Sequence, residues 1–140
     1  MKEINPYLTF DGKAREAMSF YATCLGADLM IQTFGEAKMD CGPGTDPNRV
    51  IHARLSKGAA VLLASDTMPG MPHNRGTNTF SVTIQCDSAD EVEKIFNALS
   101  AGGKATMPPQ DTFWNARFAM LTDKFGIAWM LNFDKGGKKA

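Results

Sequence analysis

The sequence is short of the groups that most chemistries need. In 140 residues it carries two histidines, two tryptophans, two tyrosines and three cysteines. Cys24, Cys41 and Cys86 form no Cys-x-x-Cys pair and, being odd in number, cannot all be bridged, so no disulfide framework is expected. No run of about 18 apolar residues occurs and no secretory leader pattern is seen, so the expectation is a cytoplasmic protein with reduced thiols and no membrane contact. Excess charge is missing too: 15 basic residues balance 15 acidic ones. Nothing therefore draws the chain to nucleic acid or to a lipid surface. A chain with no net charge self-associates more readily, which fits a homodimer. P-loop, Gly-x-Ser-x-Gly, His-Glu-x-x-His and dinucleotide-binding glycine patterns are all absent, and their chemistries are set aside.

What is present is an ordinary globular composition, 44% hydrophobic and 21% charged, long enough for one domain with its own core over residues 1–140. Ile4–Phe10 is a short β run turned by Asp11-Gly12. Ala17, Met18, Tyr21, Cys24 and Leu25 then share one helical face, and Gly26 stands where a helix C-terminal glycine is expected. Leu29–Phe34 reads as a strand and Gly35–Arg49, rich in glycine and proline, as a loop. Val50–Leu55 and Ala59–Ser65 are two more strands joined by Ser56-Lys57-Gly58. The stretch from Asp66 to Asn78 is the expected linker, residues 67–78 at its narrowest, between a first module over about 1–66 and a second over about 79–134.

After the linker the pattern restarts. Thr79–Cys86 alternates polar and apolar residues like a strand with one buried face. Ser88 and Glu91 make the Ser-x-x-Glu pattern of a capping box ahead of Val92, Ile95, Phe96 and Leu99 on one helical face, and Gly102-Gly103 ends that helix. The stretch Thr106–Phe133 holds both tryptophans and four of the nine phenylalanines. It is predicted to supply three strands, Gln110–Asn115, Arg117–Thr122 and Ile127–Phe133, the last two joined by Asp123-Lys124-Phe125-Gly126. Asp134–Ala140, with Lys135, Lys138 and Lys139, reads as a solvated tail. The order is strand, helix, three strands, twice over.

The words QDTFW, ARF and LTDKFG, with PYLTFDGKAREAMSFY near the start, resemble the PhnB-like branch of the vicinal-oxygen-chelate superfamily, the glyoxalase, bleomycin resistance and dioxygenase fold. The resemblance covers nearly all of residues 4–133. It implies an α+β fold of two βαβββ modules forming a cupped, barrel-like mixed sheet with helices outside, and a ligand bound in the cup. Strand alternation assigns faces. Leu8, Phe10, Phe80, Val82, Ile84, Ile127, Trp129, Leu131 and Phe133 are expected toward the helices or core. Asn5, Tyr7, Thr9, Thr79, Ser81, Thr83, Gln85, Ala128, Met130 and Asn132 are expected on the opposite face.

Metal-dependent relatives take His, Glu or Gln ligands from four strand positions that align here with Asn5, Leu63, Ser81 and Met130. Since none is a usual first-row metal ligand, the resemblance implies no glyoxalase-type centre; no cofactor is expected, with a divalent metal left open only at a rebuilt site. His52, alternating with Arg54, is either a general base in the cup or a half-exposed strand histidine. His73, in the linker, reads as surface. Trp114 and its neighbours Asp111, Thr112 and Phe113 either wall a ligand site or fill the core or a dimer seam. Cys41 is a weak nucleophile candidate with no assignable base. Met68 and Met71 are read as apolar cover over the barrel mouth.

The leading expectation is thus a metal-free small-molecule binder using Tyr7, Thr9, Ser81, Thr83, Trp114 and Met130. The alternative is a lyase, isomerase or oxygenase whose site is rebuilt around His52 with Glu36 or Asp40. Similar sequences carry methyltransferase labels, but no methyl-donor site is seen.

Overall fold

The computed structural model describes residues 1–38, 46–68 and 80–136. His73, Cys41, Asp40, Met71 and Thr79, all named above, lie outside them. The chain divides into two compact units, Met1–Asn74 and Arg75–Ala140, with the boundary inside the expected linker.

In the first unit, β1 (Tyr7–Phe10) is followed by α1 (Ala14–Leu25), β2 (Asp28–Thr33), β3 (Val50–Lys57) and β4 (Ala60–Asp66). The sheet order is β1-β4-β3-β2, with β1 parallel to β4 and the other pairs antiparallel. The second unit repeats this with β5 (Val82–Gln85), α2 (Ala89–Leu99), β6 (Lys104–Asp111), β7 (Ala116–Thr122) and β8 (Ala128–Asp134), in the order β5-β8-β7-β6. The duplicated βαβββ plan is therefore present. Each sheet is open, with its own two edge strands, rather than closed as a barrel would be.

The helices form where sequence and capping agree. Gly26 ends α1 in the left-handed conformation (φ 62°, ψ 41°), which glycine adopts without a Cβ penalty. The N-terminus of α1 has no cap from its own flank. Instead Asp66, buried at the end of β4, accepts from the Ala14 amide at 3.0 Å and the Val50 amide at 2.9 Å. Asp66 is therefore the structural end of a strand, not the first linker residue. At α2, Ser88 Oγ accepts from the Glu91 amide at 3.0 Å, as the capping box predicts. The Glu91 carboxylate accepts from the Asp87 amide at 2.8 Å, one residue earlier than the motif would have it. Val92, Ile95, Phe96 and Leu99 are buried on the sheet-facing side.

Three strand expectations need correction. β1 is shorter than Ile4–Phe10, and Phe80, at 79% exposure, precedes β5 and does not join the core. The strand expected over Gln110–Asn115 runs instead over Lys104–Asp111. Pro108 and Pro109 fall inside β6, which is an edge strand, where proline removes no interior ladder bond. Its pairing with β7 is irregular between Ala105 and Met107 and between Met107 and Gln110, which accommodates the two prolines. Among the described residues no helix is long and apolar enough to cross a membrane.

Candidate functional site

In each unit one face of the sheet packs on the helix and the other does not. In the first, Phe10, Ala53, Leu55, Leu62 and Ala64 are buried beneath α1. Tyr7, Thr9, Met30, Gln32 and Arg54 are exposed on the other face. His52 is half-buried there, and Tyr7 Oη lies 3.3 Å from His52 Nδ1, their rings 6.0 Å apart and tilted by 36°. The parallel pairing of β1 with β4, itself beside β3, is what brings residues 7 and 52 together. Thr9 follows Tyr7 on the same face. Strand alternation put each of these on the open face, but only the strand order makes a pair of Tyr7 and His52.

Of the two carboxylates suggested as companions for His52, Asp40 lies outside the described residues and Glu36 is engaged elsewhere. Glu36 Oε1 accepts from the Thr33 amide at 3.1 Å and the Thr33 hydroxyl at 3.0 Å, while the Glu36 amide donates to Thr33 Oγ1 at 3.1 Å. This reciprocal box closes the turn after β2. The imidazole is partnered by a phenol. If Tyr7 donates to Nδ1, Nε2 carries the proton and is a donor; if Nδ1–H donates to Tyr7, Nε2 is a base.

The second unit gathers a different set. Ser81 Oγ donates to Met130 Sδ at 3.2 Å, Thr83 pairs in register with Met130, and Asn132 Nδ2 donates to Gln85 Oε1 at 2.9 Å. Trp129 and Leu131 are buried on the helix side, as their alternation predicts. Trp114 is not in a strand. Thr112–Ala116 is a tight hairpin loop in which the Thr112 amide donates to the Ala116 carbonyl at 2.9 Å and the Ala116 amide to Thr112 Oγ1 at 3.1 Å. Asn115 holds φ 60°, a left-handed position that Asn tolerates better than most residues. Phe113 and Trp114 therefore project from the loop tip. They meet edge to face at 4.8 Å, and Trp114 covers Phe118 at 5.6 Å. Phe113 is 96% exposed and Trp114 44%, so neither fills the core.

Asp111 belongs to an ion network rather than to a ligand wall. It accepts from Lys135 Nζ at 2.6 Å and Arg117 Nη1 at 3.3 Å, and Arg117 also pairs with Glu93 on α2. The Lys135 hydrogen bond, opposed by partial desolvation and helped by Arg117, holds the Asp111 carboxyl below the usual range. Lys135 is thus anchored and is not part of a free tail. A buried carboxylate in the same unit, Asp123, was missed as a site of interest. It accepts from the Trp129 indole N–H at 2.8 Å and the amides of Phe125 and Ile127 at 2.8 and 3.1 Å. The Asp-x-x-Gly turn was a signal for its two amide bonds, but the indole bond had none. Cys86 is also buried, and desolvation, reinforced by Glu91 and Asp87, pushes its thiol up to about 12.

The donor chemistry does not fit the superfamily's metal centre. Leu63 and Met130 bring no nitrogen or oxygen donor, and Ser81 Oγ is engaged with the Met130 sulfur. Among the described residues, no group of three or more His, Cys, Asp or Glu side chains is placed to hold a metal ion.

The family model of 3-demethylubiquinone-9 3-methyltransferase matches residues 2–132. Protein YjdN of Escherichia coli (strain K12) is 32% identical, over 94% of this chain and 95% of its own. The crystal structure of protein PA1353 from Pseudomonas aeruginosa is 41% identical with a TM-score of 0.85, covering 96% of this chain and 98% of that one. A putative 3-demethylubiquinone-9 3-methyltransferase, PhnB protein, from Bacillus cereus is 29% identical with a TM-score of 0.76, covering 94% and 99%. A glyoxalase/bleomycin resistance protein/dioxygenase from Nocardioides, 21% identical with a TM-score of 0.61 over 99% of this chain and 88% of its own, shares the fold. With two open βαβββ units that share the fold of a glyoxalase/bleomycin resistance/dioxygenase protein, and with matches that run nearly end to end, this chain belongs to the PhnB-like 3-demethylubiquinone-9 3-methyltransferase family.

Proposed function

We propose that the protein binds a small organic molecule without the usual metal centre, and that the open face of the first sheet around Tyr7, Thr9 and His52 is its recognition surface. The observation that carries this reading is the 3.3 Å contact between Tyr7 Oη and His52 Nδ1 on the sheet face opposite α1. A phenol and an imidazole held together present an aromatic wall and one oriented hydrogen-bonding group, Nε2, to whatever lies on the sheet. Ser81, Thr83, Met130 and Trp114 supply a comparable mix of hydroxyl, thioether and indole in the second unit, and we assign them to ligand contact on that ground. A homodimer and a cytoplasmic location belong to the same proposal. The exposed Phe113–Trp114 tip and the zero net charge support the first, and the unbridged cysteine pattern supports the second.

The Tyr7–His52 contact also favours a second reading, in which His52 transfers a proton with Tyr7 orienting its ring. A fragment screen by amide chemical-shift perturbation separates the alternatives. Ligands should shift Tyr7, Thr9 and His52, and Tyr7→Phe should weaken them about 2- to 10-fold, the worth of one neutral hydrogen bond. Ligands that ignore this face, or that bind equally well to Tyr7→Phe and His52→Ala, would refute the assignment. Turnover of any bound ligand that disappears in His52→Gln while binding persists would move the reading to the enzyme.

A further inference from the structure

The open face of the first sheet carries a charged group that the reading above leaves unused. Register sets Tyr7 opposite Leu63, Leu63 opposite Arg54, and Arg54 opposite Met30. Registered partners project to the same side, so these four side chains form one row across all four strands. Tyr7 and Met30 are 48% and 49% exposed, Leu63 is half-buried and Arg54 exposed. His52 stands two residues from Arg54 on the same strand and face, roughly 7 Å away along the chain. The row therefore offers an aromatic ring, an aliphatic patch and a thioether, with a guanidinium among them and the Tyr7–His52 pair alongside.

Beyond its backbone ladder pairing, Arg54 makes no side-chain ion pair or hydrogen bond among the described residues. Asp28, on the same face at the start of the edge strand β2, pairs with Ser56 in the register and does not bridge to Arg54. Arg49 of the same unit, by contrast, is tied to Asp11 and to Thr67. An unpaired guanidinium on a central strand, flanked by apolar side chains, gains most from an occupant that brings its own planar anion, because the fork of N–H donors matches a carboxylate bidentately.

We infer that Arg54 makes this face selective for a ligand with a carboxylate on a flat apolar body, the body lying along Tyr7, Leu63 and Met30 and the carboxylate on the guanidinium. The inference rests on the recognition surface proposed above and adds the chemical class of its ligand. Naphthalene-2-carboxylate and its neutral counterpart naphthalene-2-carboxamide are suitable probes, titrated into the full chain and followed by amide chemical shifts. The carboxylate should bind at least 10-fold more tightly and lose that advantage as NaCl is raised, while the carboxamide should be insensitive to salt. Arg54→Gln should make the two probes equal, and Arg54→Lys should restore only part of the preference, because an ammonium lacks the fork. The amide spectrum of each variant reports whether it is folded. Equal binding of both probes at Tyr7, Thr9 and His52 would overturn the carboxylate selectivity and leave the recognition surface standing. A carboxylate preference that survives Arg54→Gln would overturn the role of Arg54. If neither probe shifts those residues, both the selectivity and the surface are refuted.

Discussion

Replacing Asp123 with alanine should be among the most damaging single changes in the second unit. The carboxylate is 3% exposed and gathers three donors: the Trp129 indole N–H at 2.8 Å and the amides of Phe125 and Ile127 at 2.8 and 3.1 Å. The two amides lie in a turn whose residues are half-buried or exposed, so water can replace much of what they lose. Trp129 is 1% exposed, and its N–H would be left bare, a loss of about 1–3 kcal/mol on its own. With the turn amides included, Asp123→Ala should cost about 3 kcal/mol, and at about 2–4 °C per kcal/mol the melting temperature should fall by roughly 10 °C. Asp123→Asn should cost about 2 kcal/mol, since one amide oxygen can serve the turn but its NH2 must then face the indole donor. Urea unfolding followed by far-UV circular dichroism measures each value without relying on the tryptophan signal. A double-mutant cycle with Trp129→Phe isolates the indole bond and should return a coupling of about 1.5 kcal/mol. If Asp123→Ala falls within about 0.5 kcal/mol of the parent, or if the cycle shows no coupling, the account of this turn is wrong.

Three further outcomes follow from the geometry. Ser88→Ala should destabilise by about 1 kcal/mol by removing the acceptor for the Glu91 amide, with Ser88→Asp close to the parent; equal stability of all three in urea would contradict the cap. Asn115→Ala should cost about 1 kcal/mol at φ 60°, whereas Asn115→Gly should be neutral or stabilising, and the reverse order would refute the left-handed assignment. The Cys86 thiol, raised from 9.0 to about 12, stays protonated in the fold while an unfolded thiol ionises. Stability should therefore fall as pH rises from about 9 toward 12, and less steeply in Cys86→Ala. Native Cys86 should also resist a thiol reagent at pH 8 until denaturant is added, and rapid native labelling would contradict its burial.

The legible parts of the molecule were those encoded within one turn or one strand. Gly26, the Ser88–Glu91 cap and the helical face of Val92, Ile95, Phe96 and Leu99 depend on neighbours within a few residues, and all were readable. Alternation correctly divided Thr83 and Gln85 from Val82 and Ile84, and Met130 from Trp129 and Leu131, whereas Asn132, expected opposite Leu131, is buried as Leu131 is. Local rules failed where position in the sheet overrode them. Pro108 and Pro109 signal a loop to any local reading, yet they sit in a strand because that strand is at an edge. The motif around Trp114 alternates like a strand, yet a left-handed Asn115 turns it into a hairpin tip.

By itself, then, the sequence determined the duplicated order of elements, the face taken by residues such as Leu8, Phe10, Trp129 and Leu131, and the family, because periodicity, caps and family motifs are properties of contiguous residues. Tertiary structure alone decided which distant groups meet. Tyr7 and His52 are 45 residues apart and touch only because β1 docks parallel to β4. Asp66 caps a helix 52 residues before it, Glu36 closes its own turn instead of joining His52, and Arg54 is left without a partner among the described residues. Each of these is a result of strand order and register, which hydrogen bonding across the sheet sets and which no short stretch of chain contains.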